Sequence, residues 1–167
     1  MTSLLEQTLC YVAEEQFESL AFMFPLPEDP DRTPVDEWTT VSVEFSGPFG
    51  GRLYLALPSE MLPILGANML GMVEGPPGRA EQLDALKEFI NVVCGNLLPT
   101  IAGAEAVFNV GAPQLLGMGP APQFPADVTP VAATRVTVDE GCAELWLSAD
   151  RPVAALELTV SPAAGQR

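Results

Sequence analysis

A carboxylate and a carboxamide stand three residues apart at Glu88 and Asn91. At about 100° per residue of helix, these side chains fall within roughly 60° of Asp84 and Gly95. A carboxamide holds both a donor and an acceptor and stays neutral, so it can fix a water molecule beside an electrophile. The carboxylate can accept a proton or bind a cationic group of a partner. Gly95 removes bulk where another surface would come close, and the pattern indicates a small polar site.

The opposite face of the same segment is apolar and predicts a helix over residues 79–102 that buries this face in a core. The apolar positions are Leu83, Leu86, Ile90, Val93 and Leu97. Pro99 lies inside the span and is expected to kink the helix or end it early. The alternative interpretation is a solvated helix face, because a Glu-x-x-Asn tetrapeptide is common.

The composition fits one globular domain over residues 1–167, with 48% hydrophobic residues. The formal net charge of −15 opposes sequence-independent binding to nucleic acid or anionic membranes, because both need clustered lysine and arginine. The absence of histidine excludes Ser-His-Asp and Cys-His catalysis and histidine-ligated metals. The cysteines share no CxxC spacing, which indicates a reducing compartment.

Two further features favour a cytoplasmic location. No lysine or arginine precedes Arg32, so the first residues lack the charged region of a secretory signal. The longest uncharged run, residues 106–126, contains four prolines, which oppose a membrane-spanning helix.

The order of predicted elements is a helix, a strand pair, two helices and then several strands. This order is typical of an α+β fold with an antiparallel β-sheet and long helices packed against it. The helices are predicted at 2–24, at 59–70 with Ser59 as N-cap, and at 79–102. The strands are predicted at 38–45, 52–57, 107–110, 114–116, 131–138, 143–148 and 153–160. Each half has a long helix followed by paired strands, which suggests an internal pseudo-repeat.

The glycine-rich stretch at 47–51 joins the first two strands and predicts a hairpin turn. It is not interpreted as a phosphate-binding loop, because it lacks the Gly-Lys-Ser/Thr ending and precedes a strand instead of a helix.

The spacing Asp84-x-x-x-Glu88-x-x-Asn91, followed later by Pro113, resembles the signature of the CheC/CheX/FliY family of chemotaxis phosphatases. Gly95 and the asparagine after it extend the likeness to the family's Glu-x-x-Asn-x-x-x-Gly-Asn. Two more segments are similar to the family's strand–glycine–strand hairpin and to the end of its middle helix: residues 45–55 and 67–71. The resemblance implies a CheC/CheX-like fold. We assign no chemistry to Asp84 or Pro113.

The resemblance also implies a reaction. Members of the family hydrolyse the aspartyl phosphate of response regulators such as CheY. The regulator supplies the Mg²⁺ and the phosphoryl group, so the chain is expected to need no cofactor of its own. By this resemblance Asn91 orients the attacking water, and Glu88 engages a lysine of the regulator. Positioning and electrostatics dominate phosphoryl transfer, so this assignment agrees with the chemistry of the two side chains.

A single site and a homodimer are further implications. CheC-type members carry a second copy of the signature on their first helix. The glutamates of that helix are not followed by asparagine three residues later: Glu6, Glu14, Glu15 and Glu18. The chain is therefore expected to be of the CheX type, which forms homodimers. Met72, Val73 and the final strands are the candidate contact surfaces.

Two other functions remain open at this point. A non-catalytic adaptor of the same fold would bind a response regulator or another signalling partner without hydrolysis. The intact Glu-x-x-Asn pair favours the phosphatase, whereas the strong negative charge opposes docking against an acidic phosphorylation pocket. An unrelated hydrolase has little support, because no serine or cysteine has a base to activate it.

Overall fold

The computed structural model describes residues 2–72, 74–75 and 77–160. The α-helices are α1 (Leu4–Ala21), α2 (Leu62–Leu70), α3 (Arg79–Ala102) and α4 (Val153–Glu157). The strands are β1 (Trp38–Ser46), β2 (Gly51–Pro58), β3 (Asn109–Val110), β4 (Gln114–Gly119), β5 (Ala132–Val138) and β6 (Gly141–Ala149). None of the helices within these ranges is long and apolar enough to cross a membrane.

The strands form one antiparallel sheet in the order β3-β1-β2-β6-β5, and β4 also pairs with β1. Val41 of β1 lies opposite Leu55 of β2, which lies opposite Leu145 of β6. All three side chains are fully buried, because alternate residues of each strand face the helices that cover the sheet. The predicted α+β fold with an antiparallel sheet is confirmed, while the internal pseudo-repeat stays a prediction.

Part of the other face of the sheet is covered by the proline-rich segment between β4 and β5. The ring of Phe124 in this segment lies 4.6 Å from that of Trp146 and 6.1 Å from that of Tyr54. The backbone N–H of Gln123 donates to the hydroxyl of Thr40 at 2.9 Å. This segment therefore packs on the part of that face around Tyr54 and Trp146.

The first helix is shorter than predicted at both ends. Ser3 and Glu6 form a capping box at its start, which satisfies two backbone donors. Phe22 adopts the left-handed conformation with φ 54°, and the N–H of Met23 donates to the carbonyl of Phe17 at 2.9 Å. The helix thus ends at Ala21 through a left-handed cap, before Pro25 and Pro27 are reached.

The prediction of Ser59 as an N-cap is wrong. A 3₁₀ turn covers Ser59–Met61, and α2 begins only at Leu62, with a proline in its first turn. The hydroxyl of Ser59 lies 2.7 Å from that of Thr39 in β1. Ser59 therefore bonds to the sheet, and its hydroxyl accepts no hydrogen bond from a backbone N–H of the helix.

The predicted last strand, residues 153–160, is also wrong, because the chain forms the short helix α4 there. Pro152 stands at its N-cap position and two alanines follow in its first turn, which favours a helix. Leu156 and Val160 are buried, and the Glu157 carboxylate accepts from the N–H of Leu5 at 3.0 Å. The expected fraying of residues 161–167 lies outside the described residues.

The third helix has the bounds that the sequence predicts, Arg79–Ala102. Pro99 does not end it early, because this residue stands in the last turn. The N–H of Gly103 donates to the carbonyl of Pro99 at 2.8 Å, which closes the helix.

Candidate active site on the third helix

Buried side chains fix how α3 is rotated about its own axis. Leu86, Phe89, Ile90 and Val93 are fully buried, and the Phe89 ring lies 4.6 Å from that of Phe17 in α1. These positions follow the helical period, so the opposite face of α3 is turned away from the core. The apolar stripe predicted from the sequence is confirmed.

The exposed face of α3 carries both predicted site residues. Glu88 is exposed and Asn91 is half-buried, and one helical turn brings their side chains to the same face. Within the described part of the chain, neither side chain has a hydrogen-bond or ion-pair partner. Both groups are therefore available to a second molecule.

On this face, Asn91 lies between two side chains of opposite charge. At about 100° per residue, Lys87 lies roughly 40° to one side of Asn91 and Glu88 roughly 60° to the other. Lys87 is the one lysine of the chain; it is half-buried and has no ion pair among the described residues. The amide thus has a cation on one side and a carboxylate on the other.

Gly95 leaves open space one turn beyond Asn91. A Cβ built on Gly95 meets nothing within 4 Å, and the residue is exposed. Glycine inside a helix is less favourable than alanine by about 1 kcal/mol, and the packing of this chain does not require it. The neighbouring Asn96 amide donates to the carbonyl of Val92 at 2.8 Å, so it bonds to its own helix.

The remaining members of the signature, Asp84 and Pro113, lie at some distance from Asn91 along the chain. Asp84 is exposed one turn before Glu88. Pro113 is half-buried in the link between β3 and β4. Neither residue has a side-chain contact that assigns it chemistry.

The buried thiol of α3 is no nucleophile at neutral pH. Cys94 is fully buried, and burial raises the pKa of its thiol to about 12. Burial is also the largest cause of the raised pKa of Cys10. Reactive cysteines need a lowered pKa, so neither thiol is a candidate nucleophile.

Sequence reasoning missed a groove beside the site. It has a volume of about 550 Å³ and lies between α1, α2 and α3. Apolar and acidic side chains line it, chiefly Leu20, Met69, Leu70, Glu81, Asp84 and Glu88. The one signal of the groove in the sequence is the apolar pair Met69 and Leu70 at the end of α2. The sequence does not indicate that α1 and α3 lie beside this pair, because that depends on the tertiary fold.

In the part of the chain that the structure describes, no group of three histidine, cysteine or carboxylate side chains could hold a metal ion.

A model of the protein family described as chemotaxis phosphatase CheX matches residues 39–121, the part of the chain that includes α3. The chain belongs to the CheX family. The resemblance to the CheC/CheX/FliY family that the sequence indicates is thereby confirmed. No protein with a curated description matches this CheX-family chain in sequence.

Solved structures of CheX proteins share the fold. A CheX protein from Desulfovibrio desulfuricans matches with a TM-score of 0.66 at 14% identity, over 87% of this chain and 99% of that one. CheX from Vibrio vulnificus matches with a TM-score of 0.65 at 17% identity, over 90% of this chain and 100% of that one. Another match is CheX from Borrelia burgdorferi in a complex with CheY, BeF₃ and Mg²⁺. Its TM-score is 0.59 at 13% identity, over 90% of this chain and 100% of that one.

Proposed function

We propose that this CheX-family chain hydrolyses the aspartyl phosphate of a CheY-like response regulator. The observation that carries the proposal is the pair of unpartnered side chains, Glu88 and Asn91, on the exposed face of α3. A helix face that ends in open space at Gly95 is suited to enter another protein's active site.

In this reaction Asn91 orients the attacking water. Its amide oxygen accepts a hydrogen bond from the water, and its NH₂ group is free to donate to a phosphoryl oxygen. The water oxygen forms a bond to phosphorus while the bond from phosphorus to the aspartyl oxygen breaks. The products are inorganic phosphate and the free aspartate of the regulator. A hundredfold acceleration needs about 2.7 kcal/mol, which one well-placed water-orienting group can supply.

The charged neighbours of Asn91 bind the regulator in this proposal. Glu88 engages a lysine of the regulator, and its exposure leaves the carboxylate free for this contact. Lys87, on the other side of the amide, faces the acidic phosphorylation pocket. This cation offsets part of the repulsion expected from a chain with a net charge of −15.

The regulator supplies the Mg²⁺ in this scheme, and the chain contributes no cofactor. The Borrelia relative supports this division, because it was crystallised with CheY together with BeF₃ and Mg²⁺. We further propose that the chain acts as a homodimer. Met72, one of the contact residues predicted from the sequence, is 39% exposed, whereas Val73 lies outside the described residues. Sedimentation equilibrium tests the dimer.

The proposed activity is tested by following the loss of phosphate from a CheY-like regulator in Mg²⁺. We expect Asn91→Ala to lower the maximal acceleration by about 100-fold while the regulator still binds. We expect Glu88→Ala mainly to raise the concentration needed for half-maximal rate, by about tenfold. The matched controls are Asn96→Ala, whose amide bonds to its own helix, and Glu105→Ala, an exposed carboxylate beyond the end of α3.

If wild type, Asn91→Ala and Glu88→Ala all leave the rate of phosphate loss unchanged, the phosphatase proposal fails. Binding of the regulator without acceleration would then favour the adaptor, the alternative function of the same fold.

A further inference from the structure

The groove between α1, α2 and α3 is built into the fold. The side-chain amide of Asn68 in α2 donates to the carbonyl of Ala21 at the end of α1, at 2.8 Å. A Cβ on Gly66 of α2 would lie 2.9 Å from Pro77, and the Gln82 amide of α3 donates to the Pro77 carbonyl at 2.8 Å. These contacts hold the three walls together, so the groove is formed before any partner binds.

The groove combines an apolar surface with an acidic rim. Leu20, Met69 and Leu70 supply apolar surface, and Leu70 is 54% exposed at the end of α2. The rim carries the carboxylates of Glu81, Asp84 and Glu88, and no lysine or arginine lines the groove. Such a groove favours an occupant that presents an apolar side chain beside a positive charge.

We propose that the groove receives a surface segment of the CheY-like regulator in which an apolar side chain stands next to a lysine or arginine. This inference rests on the proposed function, because Glu88 belongs both to the rim and to the proposed active site. The groove therefore adjoins the place where the phosphorylated aspartate must lie. It would select among regulators by contacts outside the phosphorylation pocket.

Charge favours a regulator over a second copy of the chain in this groove. A second copy would bring a net charge of −15 towards a rim of three carboxylates, which is unfavourable. An acidic phosphorylation pocket also repels this chain at long range, so affinity must come from short-range contacts. Apolar burial at Leu70 supplies affinity that does not depend on net charge.

Two substitutions test the groove without touching Glu88 or Asn91. Leu70→Glu puts a charge on the apolar surface, and Glu81→Lys reverses one rim charge. The controls make the same changes elsewhere: Leu158→Glu at a side chain that is 87% exposed, and Glu105→Lys beyond α3. Thermal melting shows whether each variant is folded.

Binding is measured by titration with the CheY-like receiver domains of the source organism, each loaded with BeF₃⁻ and Mg²⁺. Hydrolysis is measured with the phosphorylated domains. We expect Leu70→Glu and Glu81→Lys each to weaken binding about tenfold. Each should raise the regulator concentration for half-maximal rate while the maximal rate is kept, and the controls should behave as wild type.

Each other outcome decides against the groove proposal, the phosphatase proposal or both. Unchanged binding by both folded variants would overturn the groove proposal. So would a Leu70→Glu variant that loses self-association but binds regulator normally, because the groove would then hold a second copy. If wild type binds a regulator without hydrolysing its phosphate and both variants lose that binding, the groove proposal stands and the phosphatase fails. If no receiver domain binds wild type, both proposals fail.

Discussion

The rings of Phe17 in α1 and Phe89 in α3 lie 4.6 Å apart with an interplanar angle of 45°, and both are fully buried. Phe89 follows Glu88 directly in the chain. Its anchoring in the core therefore determines that Glu88 and Asn91 point away from the core. The position of a site on a helix face depends on the packing of the buried side chains that hold the helix.

Replacing this anchor should destabilise the protein strongly. We expect Phe89→Ala to lower the free energy of unfolding by about 3–5 kcal/mol, because it leaves a cavity in the core beside Phe17. Urea denaturation measures the change. Phe24→Ala is the control, since that ring is 50% exposed and should cost less than about 1 kcal/mol. Equal losses at both positions would contradict the role given to the contact between the rings.

Replacing Gly95 should change stability and activity in opposite directions. We expect Gly95→Ala to raise the free energy of unfolding by about 0.5–1 kcal/mol, because alanine favours the helix and its methyl group meets nothing in this chain. The same methyl group would stand where the regulator comes close, so hydrolysis of the regulator's phosphate should slow by about tenfold or more.

The pair of measurements on Gly95→Ala is urea denaturation and the rate of phosphate loss. Asn96→Ala also improves helix propensity and should keep its activity, which makes it the matched control. A Gly95→Ala protein with the full wild-type rate would show that the regulator does not approach this residue.

Cys94 should make stability fall in alkaline solution. Burial raises the pKa of its thiol from an ordinary value of 9.0 to about 12 in the folded protein. The unfolded chain therefore loses this proton first as pH rises, and the folded state is progressively disfavoured between pH 9 and pH 12. The slope from this one group approaches about 1.4 kcal/mol per pH unit.

The prediction on Cys94 is checked by urea denaturation at increasing pH for wild type and Cys94→Ala. The variant should lose less stability than wild type over the alkaline range, even if it is less stable at neutral pH. Iodoacetamide should also leave Cys94 unmodified in the folded protein. Parallel pH profiles for the two proteins would argue against a raised pKa.

Local patterns were sufficient to predict α3 and the first hairpin. The bounds of α3 follow from an amphipathic run with glycine at each end, at Gly78 and Gly103, and from a core face with helical spacing. The pairing of β1 with β2 follows from alternating apolar residues on either side of a glycine-rich turn. Both signals lie within the elements that they specify, and the same run of sequence carries Glu88 and Asn91.

Features that depend on distant contacts could not be predicted. Residues 153–160 contain apolar residues compatible with a strand or a helix, and the contact of Glu157 with Leu5 depends on the tertiary fold. The groove likewise requires Leu20, Leu70 and Glu81 to meet from three helices. Nothing in the spacing of these residues along the chain indicates that they share one surface.

The aromatic contact on the far side of the sheet has a practical consequence. Phe124 packs on Trp146 at 4.6 Å, and Trp38, the other tryptophan of the chain, is buried in β1. Neither indole lies on α3, so substitutions at Glu88 or Asn91 should leave the native emission spectrum unchanged. Intrinsic fluorescence can therefore report unfolding across the whole set of variants with a single optical baseline.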